Sequence, residues 1–230
     1  MNRDESARLL SLAVHEFRTP VTVVAGYLRM LLKMQPGPAD QPRKLIEEAE
    51  KSCTRLAALI AELSEISNLT AGQVSFERNE IDLFALLDEV AATVREGADR
   101  DVRLQIERSH EPVLIAGDRK YLTRGLESLL TATLRERAQP GVLVVACGVQ
   151  GRGTERFAYV AIAPRDGDGV PDGFRASEWA PFEEWRGGLG FRLVLARQVI
   201  TAHGGQVFSG RGTEPRGACA FTLPAREPES

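Results

Sequence analysis

The chain has 230 residues, enough for one large domain or two modest ones, and its 43% hydrophobic and 27% charged residues fit a soluble globular protein. A net charge of −3 gives no basic footprint for nucleic acid. The three cysteines, Cys53, Cys147 and Cys219, are far apart and odd in number, which argues against a zinc site or a disulfide framework, so no metal site is expected. The first residues are polar, and the most apolar stretch, 21–32, is broken by Arg29 and too short to span a bilayer. These features predict a cytoplasmic protein with no transmembrane segment, taking its input from a partner or from its own folded domains.

Residues 4–35 read as one long helix. Leu10, Val14, Phe17, Val21, Val24, Leu28 and Leu31 recur with the alternating spacing of a heptad seam. Pro36, Gly37 and Pro38 stop it, Asp40 caps a second helix with Pro42 in its first turn, and that helix runs to about Thr70, with Gly72 as C-cap. Its own stripe is Ile46, Ala49, Cys53, Leu56, Ile60 and Leu63. Two helices joined by a short Pro/Gly loop make an antiparallel hairpin, which cannot bury two apolar stripes alone. A homodimer forming a four-helix bundle is therefore expected.

Beyond residue 72 the pattern mixes strands and helices. Strands are expected at 74–76, 102–106, 113–115, 142–149, 157–163, 206–209 and 218–223. Helices are expected from Asp82 to about Arg95, from Asp118 to Arg137 with Leu122, Leu126, Leu129, Leu130 and Leu134 inward, and from Gly190 to Ala202. The whole reads as α+β: an N-terminal antiparallel hairpin in a dimeric four-helix bundle over residues 1–72, then a two-layer α/β sandwich over 73–226, with a tail at 227–230.

His15 follows the seam residue Val14, so it sits at the flank of the bundle, open to solvent and to another protein. Glu16 adjoins it, Thr19 shares its face one turn on, and Pro20 should kink the helix below it. A neutral imidazole is a nucleophile, and a phosphohistidine can hand its phosphoryl group onward. A neighbouring carboxylate can hold the tautomer and accept the ring proton, and a hydroxyl one turn away can orient a water. A zinc-protease reading would need a second His where Thr19 stands.

The run His15-Glu16-Phe17-Arg18-Thr19-Pro20 resembles the phospho-acceptor box of bacterial two-component sensor histidine kinases at every position. The resemblance implies that His15 takes a phosphoryl group and exchanges it with an Asp of a response-regulator receiver domain. It also implies that Glu16 assists as a base, that Thr19 serves the reverse phosphatase reaction, and that a separate sensor protein is a further partner.

Residues 73–226 resemble the ATP-binding domain of the same kinases, a sandwich shared with gyrase-type and Hsp90-type ATPases. In that family a helix carries two Asn one turn apart, the second holding Mg²⁺; here Ser128 and Ala132 take those positions, and Arg135 stands where a Lys is common. The family's Asp-x-Gly-x-Gly loop, whose Asp reads adenine, is matched by Asp166, Gly167, Asp168 and Gly169. Aligned on the glycines, Arg165 takes the Asp position; aligned on the alternation of Val160 and Ile162, Asp166 does. The phosphate-cradling turn is matched by Gly188 and Gly190. Trp179-Ala180-Pro181-Phe182 resembles the Phe-rich box before the ATP lid, and only residues 183–187 separate it from Gly188, so the lid is nearly absent. The resemblance implies ATP with Mg²⁺ as cofactor. A methyl in place of a Mg²⁺ ligand, an adenine contact open between two alignments and a missing lid imply that autokinase activity is weakened or lost. Three functions follow: a phosphorelay protein that keeps His15 chemistry without ATP chemistry, an ordinary ATP-dependent histidine kinase, and a non-enzymatic dimeric partner-binding module.

Overall fold

A computed structural model of the chain describes residues 3–34, 40–95, 97–108, 112–137, 139–165, 174–185, 190–210 and 218–226. The chain divides into two compact units, Met1–Gly72 and Gln73–Ser230.

The first unit is a helical hairpin of α1 (Arg3–Lys33) and α2 (Asp40–Thr70). The Pro36–Gly37–Pro38 stop lies outside the described residues, as does the tail. At the other end the hairpin stops where Gly72 takes a positive φ of 66° and its N–H bonds the Leu69 carbonyl at 3.1 Å, a conformation that costs a glycine nothing.

The expected seam does not hold the hairpin together. Leu9, Ala13 and Pro20 are the buried residues of α1, each one position before a seam residue, while Leu10, Val14, Val21 and Leu28 are 50–65% exposed. On α2 the buried residues are Ala49, Leu59, Ile66 and Leu69, while Ile46, Cys53 and Ile60 are exposed. One residue is about 100° of helix, so the buried stripe and the most exposed part of the heptad stripe lie on different sides, while Phe17, Val24 and Leu31 of the seam are half buried and Ala49 is buried. A two-helix hairpin has one internal face per helix, and its stronger apolar stripe is left outside.

The second unit carries a sheet with strand order β2-β4-β5-β8-β7-β6, in which β2 and β4 are parallel and the other neighbours antiparallel. These strands are β2 (Val102–Arg108), β4 (Gly141–Gln150), β5 (Phe157–Pro164), β6 (Ala180–Pro181), β7 (Gln206–Ser209) and β8 (Cys219–Pro224). A separate antiparallel pair joins β1 (Asn79–Asp82) to β3 (Leu114–Gly117). Among the described residues its α-helices are α3 (Leu83–Thr93), α4 (Arg119–Glu136) and α5 (Arg192–Ala202). Residues 74–76, expected as a strand, have no regular structure; the first strand begins at Asn79, where Gly117 supplies a ladder partner.

Period-two alternation gives the sheet two different faces. Val145, Val160, Ile162, Cys219 and Phe221 point to the helices and are buried against the apolar side of α4 and α5; Thr133 of α4 touches the Cys219 sulfur at 3.3 Å. On the outer face Ala161 and Ala220 lie under Phe174 and Trp179, with Phe157, Tyr159 and Phe208 packed around them. Asp118 and Asp82 cap α4 and α3 by accepting backbone N–H bonds, so the two helices start where the sequence placed them.

Candidate functional site

On α1, His15 has 77% of its side chain exposed, and its Nδ1 lies 3.5 Å from Oε1 of Glu16, whose own side chain is only 15% exposed. The helix turns Glu16 toward the Leu9–Ala13–Pro20 stripe, so the carboxylate is held while the imidazole reaches solvent. Thr19 and Arg18 are exposed beside it. A carboxylate at Nδ1 favours the tautomer with the proton there, leaving the Nε2 lone pair outward as the nucleophile.

In the second unit the nucleotide-facing positions are arranged differently from the sequence-based expectation. Gly125, Ser128 and Ala132 line one stripe of α4. At Gly125 a Cβ would come 2.9 Å from Val199 Cγ1, which shows how tightly α4 and α5 approach. Ser128 is 6% exposed and Ala132 fully buried, so the stripe expected to meet a nucleotide is packed. Ala132 offers no oxygen, and the donor set at this position does not fit Mg²⁺. Arg135 is exposed in the last turn of α4.

Arg165 continues β5: its N–H bonds the Val142 carbonyl at 3.0 Å, and its guanidinium donates to Glu107 at 2.8 Å. Glu107 pairs in register with Ala146 and so stands on the outer face, away from the helices. Arg165 therefore reaches the outer face of the sheet, away from α4 and α5. Asp166, Gly167, Asp168, Gly169 and Gly188 lie outside the described residues. Gly190, with a positive φ of 60°, turns the chain into α5 just before the buried Phe191.

Two arrangements were not legible beforehand. Just after Phe182 the chain is tied to the rest of the unit: Glu183 N–H donates to Ser209 Oγ at 3.0 Å, and Glu184, 4% exposed, forms an ion pair with Arg197 of α5. Trp179, read as part of the Phe-rich box, stacks on Phe174 on the outer sheet face. The second arrangement is a knot at the start of α4. His203 Nδ1 meets the Val199 carbonyl at 2.7 Å and its Nε2 accepts the Asp118 N–H at 3.0 Å, which requires a neutral ring protonated on Nδ1. Burial pushes the His203 pKa below its usual value of 6.5, opposed by the Val199 hydrogen bond, with Arg78 adding to the lowering and Asp118 opposing it. No signal in the sequence links residues 85 positions apart.

Residues 5–72 match the model of the His Kinase A (phospho-acceptor) domain. The alginate biosynthesis sensor protein KinB of Pseudomonas aeruginosa is 30% identical over 201 residues, covering 85% of this chain and 33% of KinB. Residues 5–72 therefore carry a His Kinase A phospho-acceptor domain, and the chain as a whole is similar to sensor histidine kinases. Among solved structures, the Acinetobacter baumannii histidine kinase AdeS superposes with a TM-score of 0.61 at 18% identity, over 92% of this chain and 96% of AdeS. Histidine kinase ThkA, solved in complex with the response regulator protein TrrA, gives 0.61 at 20% identity over 97% of this chain and 62% of ThkA. These two likenesses show the shared fold: a helical hairpin followed by an α/β sheet domain. Against the first curated relatives the chain spans from 26% to 51% of their length. Among the described residues no helix is long and apolar enough to cross a membrane.

Proposed function

We propose that this histidine kinase homologue exchanges phosphoryl groups between His15 and an Asp of a response-regulator receiver domain, as a homodimer, with autokinase activity weakened or lost. The exposed imidazole with a held carboxylate at its Nδ1 carries the reading. In the exchange, His15 Nε2 attacks the phosphorus of an aspartyl phosphate. The N–P bond forms as the acyl O–P bond breaks, the receiver's carboxylate leaves, and Glu16 stabilises the charge on the ring at Nδ1. For the reverse, hydrolytic role, the Thr19 hydroxyl orients a water toward a receiver's phosphoryl group. The packed Ser128–Ala132 stripe and the chain tied down just after Phe182 support loss of MgATP use, since phosphoryl transfer depends on positioning and charge neutralisation. The family uses ATP with Mg²⁺, and the retained Gly190 turn favours a second reading, a working ATP-dependent kinase.

The test offers the chain and its His15→Ala variant two radiolabelled donors, MgATP and a receiver domain charged with labelled phosphate. Label on wild type from the receiver alone, absent in the variant, is the expected result. Label from MgATP on His15 would establish the second reading. Receivers that neither transfer label nor lose it faster in the presence of the chain would overturn both the transfer and the phosphatase role.

A further inference from the structure

The hairpin ends at Gly72 and the first strand of the second unit starts at Asn79, so residues 73–78 are the connection between the units. They have no regular structure, yet three consecutive residues of the connection are gripped by the second unit. The Phe76 ring lies 5.2 Å from Tyr121, edge-on, and 4.8 Å from His203. Glu77 N–H donates to Asp118 Oδ2 at 3.1 Å. The Arg78 guanidinium donates to the Ala202 carbonyl at 3.4 Å.

We propose that residues 76–78 form a releasable latch on the aromatic notch of Tyr121 and His203, and that its opening sets the length of the tether between the hairpin and the second unit. The notch is built without the linker. His203 spends both ring nitrogens inside the unit, on the Val199 carbonyl and the Asp118 N–H. The Asp118 carboxylate divides its work: Oδ1 caps α4 through the Lys120 and Tyr121 N–H groups, while Oδ2 alone serves Glu77. Losing the linker therefore leaves the cap and the histidine bonds intact. The grip itself is small, one half-buried ring and two hydrogen bonds, the size of contact that opens locally while a domain stays folded. With the latch shut, the tether is residues 73–75; with it open it is 73–78, and its reach grows from ~10 Å to ~20 Å at roughly 3.3–3.6 Å per residue. The use of that reach in regulating His15 rests on the phosphotransfer reading above; the latch does not.

Limited trypsin digestion of the full chain tests it, with fragments identified by mass. Arg78 is the residue whose cleavage the latch protects, and Arg124, within α4, reports opening of the domain itself. Phe76→Ala should speed cleavage after Arg78 about tenfold and leave cleavage after Arg124 unchanged, because cleavage follows the open population. Phe76→Leu, which keeps the apolar bulk but not the ring, is read by the same ratio should the alanine variant fold poorly. Equal Arg78 cleavage in wild type and variants, or Arg78 and Arg124 rising together, would overturn the latch. Receiver-dependent labelling of His15, compared in the same chains, bears on the phosphotransfer reading independently of the cleavage ratio.

Discussion

His203 shows how much a single side chain can hold without being legible. Its neighbours Gly204 and Gly205 say nothing of its partners, which are Val199 four residues back and the Asp118 cap from a distant part of the chain. Both bonds need a neutral ring. Because burial lowers the folded pKa below the unfolded 6.5, this contribution to stability is fully present above about pH 6.5 and is lost as the pH falls toward the folded pKa. The groups facing the ring are Arg78 from the linker, Asp118 from the α4 cap and the Val199 carbonyl from α5. Denaturant unfolding between pH 8 and pH 5.5, taken as roughly the window around an unperturbed His, should show stability falling with acid in wild type. The fall should be shallower in His203→Gln; an equal slope in the two would mean that other groups carry the acid sensitivity. The two positions read as lost Asn residues, Ser128 and Ala132, carry a similar lesson. Restoring Asn by sequence logic alone ignores that both are buried. An amide at the fully buried Ala132 position that is left without a hydrogen-bond partner costs about 1–3 kcal/mol. Ser128→Asn with Ala132→Asn is therefore expected to lower the melting temperature. A variant as stable as wild type would show that the stripe opens readily toward solvent.

At the scale of elements, the longer helices and strands were readable because each shows its period over many residues. The starts of α3 at Asp82 and of α4 at Asp118 were readable because a helix start is decided within one turn. The two-residue β6 was not, since Ala180–Pro181 becomes a strand only by pairing with Phe208 and Ser209. The Glu184–Arg197 pair is of the same kind: it ties the segment after β6 to α5, and nothing local announces it. Its environment sets its worth. Glu184 is 4% exposed, and removing one partner of a buried pair costs several kcal/mol, about 3–5 in well-buried cases. Arg197 is 29% exposed, so Arg197→Ala should cost less, about 2 kcal/mol. The Arg165–Glu107 pair has both side chains about half exposed, and Glu107→Gln should cost under about 1 kcal/mol. Chemical denaturation of the two variants checks the contrast, and equal losses would mean that the segment after β6 is not held by this pair.

For the whole molecule the decisive observation is the apolar surface on the hairpin. The heptad stripe was legible as a stripe, but which face it belongs to was not, because periodicity fixes spacing and leaves open what covers it. In the single hairpin Leu10, Val14, Val21 and Leu28 from α1, with Ile46 and Ile60 from α2, are all half or more exposed. Each exposed aliphatic side chain that a second copy covers returns about 1.5–3 kcal/mol at full burial, so six such residues per protomer can hold two hairpins together against the entropy of association. If so, hairpin stability is tied to protein concentration by mass action. The double substitution Val21→Glu with Leu28→Glu places charge on that stripe and touches none of Leu9, Ala13 or Pro20, which close the hairpin internally. It should leave helix content in concentrated solution nearly unchanged while shifting sedimentation from dimer to monomer, and it should abolish the rise in hairpin melting temperature over a roughly hundredfold concentration range. A wild-type chain that sediments as a monomer throughout that range, with melting independent of concentration, would mean that the exposed stripe serves some other partner and that the four-helix bundle is not formed by this chain alone.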